Sequence, residues 1–172
     1  AQLTFTSFSV GPQNQIQFYS GAGEYWRLIT PAFIHFGWMH IVFNCLWLWD
    51  LGAKVEKLVG PVNMLLLFLV IALISNTTQF RFEGPSLFGG MSGVVYGLLG
   101  FSWVGSAVQP EWKIQPAPAI MIFMVGWLVA CIFGVVSALG FGEIANAAHV
   151  GGLLSGAVLG AAFGLLSRAS RK

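Results

Sequence analysis

One serine and one histidine in this sequence have surroundings that suit acyl-transfer chemistry. Ser92 follows Gly89 and Gly90 in a glycine-rich stretch, and His149 lies early in a long apolar segment. An imidazole beside a serine can take the hydroxyl proton and later return it to a leaving amine, which is the minimum machinery of nucleophilic acyl transfer. We therefore expect Ser92 to act as a nucleophile and His149 as its general base.

The sequence also contains candidates for stabilising the oxyanion that such an attack creates. His40 and Asn44 stand four residues apart, hence on one face of a helix. Their side chains, together with the backbone amide of Ser92 at a helix N-terminus, can donate hydrogen bonds to an oxyanion. Tyr96, one turn after Ser92, can support the imidazole ring.

A third, acidic member of the site is not expected. Five of the six acids fall in connections or near the predicted cytoplasmic ends, and the sixth, Glu143, precedes His149 by six residues and so lies off its helical face. The pattern favours a Ser–His dyad over a triad.

Glycines recur every four residues on the two segments that carry these residues. They are Gly89, Gly93 and Gly97 on the first, and Gly152, Gly156, Gly160 and Gly164 on the second. Faces of small residues let helix backbones approach closely. Packing of these two faces would bring the Ser92 hydroxyl within reach of His149.

The composition identifies the solvent in which these helices fold. Charged residues make up 8% of the 172 residues and hydrophobic residues 56%, against about 25% charged in soluble proteins. Fourteen charges cannot cover a soluble surface, and no basic block indicates a nucleic-acid partner. The sequence predicts an all-α polytopic membrane protein with membrane lipids around it.

Five segments are long and apolar enough to span a bilayer. They run over about 37–57, 61–81, 91–108, 117–138 and 144–166. We divide the chain into residues 1–36, expected to hold the end of an upstream span and a long outer loop, a bundle over 37–166, and a basic cytoplasmic tail over 167–172.

The basic residues of the connections predict the orientation. With the C-terminus in the cytoplasm, that side carries six of the eight Lys and Arg, leaving Arg27 and Arg81 outside. Ser92, His149 and His40 then lie towards the outer end of their helices, where the site would open. Polar residues 75–79 at the outer end of the second segment are expected to face protein or a wet cavity.

Each feature also has a simpler explanation. Ser92 could hydrogen-bond to its own helix, His40 and Asn44 could join helices, and the glycines could serve packing alone. His40 and His149 could instead ligate haem in an electron-transfer bundle. The acyl-transfer hypothesis is favoured because all the polar features fall at one depth on one side.

Taken together, the sequence resembles the rhomboid intramembrane serine proteases, most closely the bacterial type. The motifs that carry the resemblance are Trp26-Arg27, His35-x4-His40-x3-Asn44, Gly90-Met91-Ser92-Gly93-Val94-Val95-Tyr96 and Ala148-His149-x2-Gly152-x3-Gly156. They follow the family order from about residue 25 to the C-terminus. The five segments match spans two to six of the six-span bacterial core.

The resemblance implies a helical bundle that cuts membrane-spanning helices near their outer end. It implies that Ser92 is the nucleophile, His149 the base with Tyr96 stacked on its ring, and that His40, Asn44 and the Ser92 amide hold the oxyanion. Trp26 and Arg27 would lie in a half-buried loop beside the site. No metal or organic cofactor is implied, and a bacterial inner membrane is the expected location. The alternative is a rhomboid-like protein that binds transmembrane helices without cutting them.

Overall fold

The computed structural model describes residues 2–19 and 23–170 and places helices at all five predicted segments. The helices are α1 (Trp38–Trp47), α2 (Ala53–Val59), α3 (Pro61–Glu83), α4 (Ser92–Val108), α5 (Pro118–Ile132) and α6 (Asn146–Ala169). A π-helical turn, Leu48–Gly52, joins α1 to α2. The helical class is confirmed. Of the expected tail 167–172, Arg171 and Lys172 lie outside the described residues.

Two of the helices, α3 and α6, are long and apolar enough to cross a bilayer by length and composition, whereas α4 and α5 are shorter. The short α4 is the central element, because twelve of its seventeen residues are buried. A helix enclosed by protein in this way can begin and end inside the bundle, since the irregular backbone beyond its ends is then shielded from lipid.

The prediction for the fourth segment, 117–138, was wrong at its end. Helix α5 stops at Ile132, and Gly134 then turns the chain with a φ of +73°. A short helical piece ending in the π-helical turn Ser137–Phe141 follows. The apolar sequence continues past the turn, so hydropathy extends the span, whereas a glycine in the left-handed region ends it.

A small antiparallel sheet near the N-terminus was not predicted. Strand β1 (Ser7–Val10) pairs with β2 (Ile16–Tyr19), with Ser7 opposite Tyr19 and Val10 opposite Ile16. The signal in the sequence is the alternation of apolar and polar residues on both sides of the turn at 11–15, which is typical of a hairpin.

Candidate active site

Ser92 is the first residue of α4 and follows a non-helical segment, 84–91. That segment is fixed by the Gly90 amide, which donates to the Pro31 carbonyl at 2.9 Å. Gly90 has a φ of +123°, a conformation that side chains rarely allow. As the first helical residue, Ser92 has a backbone N–H with no acceptor in a preceding turn, and the positive end of the helix dipole lies there.

The Ser92 hydroxyl lies against His149, with 2.8 Å between Oγ and Nε2. His149 is only 5% exposed. If the hydroxyl donates to Nε2, the neutral ring carries its proton on Nδ1. In the described part of the chain, this buried Nδ1 has no hydrogen-bond partner.

The glycine faces bring α4 and α6 together, in the manner that their spacing predicts. A Cβ on Gly152 would overlap the Gly93 carbonyl oxygen, and one on Gly156 would overlap that of Gly97. The two backbones are therefore in direct contact on the turns next to Ser92 and His149. We call this contact between the glycine faces of α4 and α6 the α4–α6 seam. A side chain at any of these glycines would push the helices apart and separate the Ser92 hydroxyl from the His149 imidazole.

Tyr96 lies beside His149 with ring centroids 4.8 Å apart and an interplanar angle of 37°. The two rings are in contact and tilted relative to each other. The Tyr96 hydroxyl donates to the Met124 carbonyl of α5 at 2.9 Å. One side chain thus packs on the imidazole and ties α5 to α4.

His40 and Asn44 are both on α1, with His40 half-buried and Asn44 buried. A Cβ on Gly90 would stand 2.6 Å from His40 Nε2 and 3.6 Å from Ser92 Oγ, so the His40 ring lies against the backbone next to the serine. The His35 ring meets His40 edge-on at 4.9 Å. Asn44 Nδ2 donates to the His40 carbonyl at 3.0 Å, which uses one of its two hydrogens.

Three polar residues of α3 have structural roles that the sequence analysis did not assign. Ser75 donates to the Ala148 carbonyl at 2.9 Å, and the Gln79 carbonyl oxygen accepts from the Ala148 amide at 3.0 Å. Asn76 donates to the Leu28 carbonyl at 2.9 Å. These side chains are buried and face protein. Protein and a water-filled cavity were the two environments predicted for residues 75–79. Ser75 and Gln79 clamp the residue before His149, and their i, i+4 spacing was the available signal.

Trp26 and Arg27 hold the N-terminal segment. Arg27 makes a bidentate pair with Glu24, at 2.8 and 3.0 Å, and donates to the carbonyls of Gln2 and Thr4. The Trp26 indole donates to the Gln2 carbonyl at 3.2 Å. The Arg27 hydrogen bond lowers the pKa of Glu24, and the same bond raises the pKa of Arg27.

Acidic groups do not complete the site in the described residues. Glu143 is exposed, and no His, Cys, Asp or Glu residues of the described ranges form a group of three or more that could hold a metal. The arrangement consists of a hydroxyl, an imidazole and hydrogen-bond donors at a helix N-terminus. These are the components of acyl transfer by a nucleophilic serine.

The chain as a whole matches a known protein family. The sequence model of the rhomboid domain matches residues 22–166. The chain is 40% identical over 148 residues to the rhomboid protease GlpG of Serratia proteamaculans, covering 86% of this chain and 50% of the relative. For the protein of the same name from Yersinia pseudotuberculosis, the identity is 39% over 157 residues, 91% of this chain and 53% of the relative.

A third relative, rhomboid protease GlpG of Klebsiella pneumoniae, is 43% identical over 134 residues, which are 77% of this chain and 46% of that protein. The chain therefore spans about half the length of the curated relatives that it matches.

Proposed function

This chain belongs to the rhomboid family of integral membrane proteins, and from that premise we propose that it is an intramembrane serine endopeptidase. It would hydrolyse peptide bonds in or near the transmembrane segments of other membrane proteins. The observation that carries the proposal is the 2.8 Å separation of Ser92 Oγ and His149 Nε2 within a bundle of apolar helices.

Ser92 is the proposed nucleophile and His149 the general base. The hydroxyl proton passes to Nε2 as Oγ attacks the scissile carbonyl carbon, and the carbonyl π electrons move to the oxygen. When the tetrahedral intermediate collapses, Nε2–H protonates the leaving amine and an acyl-serine remains. Water then attacks this ester with His149 again as base, which releases the carboxylic acid and restores the hydroxyl.

The proposed oxyanion donors are the Ser92 amide, His40 and Asn44. The position of His40 beside Gly90 and the remaining Nδ2 hydrogen of Asn44 support this assignment. Removal of one such donor typically costs about 10²–10³ in turnover.

The supporting residues act by fixing positions. Tyr96 would hold the imidazole plane, Gly90 would leave room for His40, and Gly93, Gly152 and Gly156 would allow the close α4–α6 contact. Trp26 and Arg27 are proposed to stabilise the outer loop.

The proposed division of the chain is an outer region at 1–36, a catalytic bundle at 37–166 and a cytoplasmic tail at 167–172. The six-to-two distribution of basic residues supports a cytoplasmic C-terminus and a site that opens to the outer side of a bacterial inner membrane. No cofactor is needed for the proposed chemistry. Substrates would be transmembrane helices, and the surrounding partners membrane lipids.

The test is cleavage of a single-span model substrate in liposomes by the chain and three variants. Ser92→Ala and His149→Ala should each abolish cleavage while both variants still unfold cooperatively on heating, with a lowered melting temperature in His149→Ala because the buried ring leaves a cavity. Ser106→Ala is the matched control, because it removes a buried hydroxyl from the same helix away from the site and should leave cleavage intact.

Cleavage that persists in Ser92→Ala would exclude the mechanism. A folded chain that retains the model substrate without cutting it, in reactions where a full-length relative cuts it, would favour the alternative of a non-proteolytic helix-binding protein.

A further inference from the structure

Two buried polar atoms near the start of α6 lack hydrogen-bond partners among the described residues. They are His149 Nδ1 and Asn146 Oδ1. The residues are three apart on one helix, so their side chains share a face about 5–6 Å apart at Cβ. Buried polar atoms are nearly always satisfied in folded proteins, by protein or by water.

The two atoms have complementary hydrogen-bonding capacity. Asn146 Nδ2 donates to the Cys131 carbonyl at 3.1 Å. Since a carbonyl can only accept, this bond fixes the orientation of the amide and makes Oδ1 an acceptor. When the Ser92 hydroxyl donates to His149 Nε2, as the proposed reaction requires, the neutral ring carries its proton on Nδ1. A buried donor and a buried acceptor therefore lie on one side of α6.

We propose that Asn146 is a positioning residue for His149, joined to it by one water molecule that accepts from Nδ1–H and donates to Asn146 Oδ1. Buried waters typically satisfy such pairs of atoms. The bond would hold the tautomer in which Nε2 is free to take the Ser92 proton. This inference rests on the proposed function, and it assigns to a neutral amide the orienting role that an acid has in a triad.

The titratable groups that face His149 come from three other helices. They are Tyr96 on α4, His40 on α1 and, beyond Tyr96, Cys131 on α5. No carboxylate is among them in the described ranges, and Asn146 is the residue whose change to an acid would add one next to Nδ1.

The experiment measures the rate at which a fluorophosphonate labels Ser92, as a function of pH, alongside thermal unfolding. Asn146→Ala should slow labelling about tenfold, because the Nδ1 proton loses its ordered acceptor. Asn146→Asp should move the acidic limb of the pH–rate profile about one unit higher, since a carboxylate near the ring stabilises the imidazolium form. Glu143→Gln is the matched control for charge at this end of α6 and should change neither.

The outcomes separate this inference from the proposed function. If the intact chain is not labelled at Ser92, the proposed function is overturned and this inference with it. If the intact chain is labelled but Asn146→Asp leaves the acidic limb in place, only the inference fails. If Asn146 has a purely structural role, its variants should lower the labelling rate equally at every pH and lower the melting temperature as well. If the acidic limb of the pH–rate profile moves in Glu143→Gln, the role belongs to Glu143 and not to Asn146.

Discussion

Helices α4 and α5 both pack beside the site, yet they are attached to the bundle in opposite ways. In α4 twelve of seventeen residues are buried, and its backbone touches that of α6 through facing glycines. In α5 only Met124, Leu128 and Cys131 of fifteen residues are buried. It is held by the packing of these few side chains and by hydrogen bonds to its backbone carbonyls, from Tyr96 to Met124 and from Asn146 to Cys131.

This difference would separate two requirements of the proposed intramembrane protease. The serine and histidine need a rigid seam, because an error of about 1 Å in their separation is costly. In the proposed reaction, a substrate helix would reach Ser92 from the bilayer, and two helices would have to part to admit it. Since opening a seam costs the contacts that it breaks, we expect α5 to move more readily than α6.

The largest expected effect comes from adding one methyl group to the rigid seam. In Gly156→Ala the Cβ would overlap the Gly97 carbonyl oxygen, and a backbone atom cannot yield as a flexible side chain can. We expect a loss of about 3 kcal/mol or more in unfolding free energy, and loss of activity with it.

The matched control for this variant is Gly126→Ala in α5, where a Cβ would meet no atom within 4 Å. Thermal unfolding and substrate cleavage of both variants measure the contrast. Equal destabilisation by the two substitutions would contradict the proposed difference between the seams.

The next effect concerns the proposed oxyanion position. Gly90→Ala would place a methyl group 2.6 Å from His40 Nε2 on a backbone with a φ of +123°. We expect turnover to fall about 10²–10³-fold through displacement of one donor, with a melting temperature lowered far less than in Gly156→Ala. Steady-state kinetics with an unfolding curve test this, and unchanged turnover would exclude His40 as a donor.

A smaller effect is expected where α5 is attached. Tyr96→Phe removes the hydrogen bond to Met124 but keeps the ring against His149. Stability should fall by about 1 kcal/mol while labelling of Ser92 stays within a few-fold of the intact chain. Tyr96→Ala, which removes the ring as well, should slow labelling further. If the two variants react equally slowly, the hydroxyl is the part that matters for chemistry.

The smallest effect concerns the outer loop and depends on pH. The hydrogen bond to Arg27 lowers the pKa of Glu24 in the folded chain. The stabilisation from this pair is therefore fully present above the ordinary Glu24 pKa of 4.5 and is lost as the pH falls through the lowered value. Glu24→Gln should lower the melting temperature slightly at neutral pH and have no effect in strong acid. A difference that persists below the lowered pKa would rule out the ion pair as its cause.

The sequence predicted features that depend on periodic patterns and missed those that depend on tertiary partners. The glycine spacing predicted the α4–α6 contact, because a four-residue repeat defines a helix face without reference to the rest of the fold. The hairpin was missed although its residues alternate, because each of its strands has only four residues. The end of α5 at Ile132 was missed because hydropathy does not report backbone turns. The i, i+4 spacing of Ser75 and Gln79 placed them on one helix face, but their bonds to Ala148 were not predicted, because both partners are backbone groups of another helix.

The burial of α4 against α6 also bears on the order in which the protein is made. Residues 109–145 separate the two helices in the chain, so at a synthesis rate of roughly 5–20 residues per second α4 enters the membrane seconds before α6. During that interval its glycine face has no partner and Ser92 no imidazole. On the proposed function, the serine of a nascent chain would have no general base until α6 has inserted, so the protease would become active only after its last helix is in place.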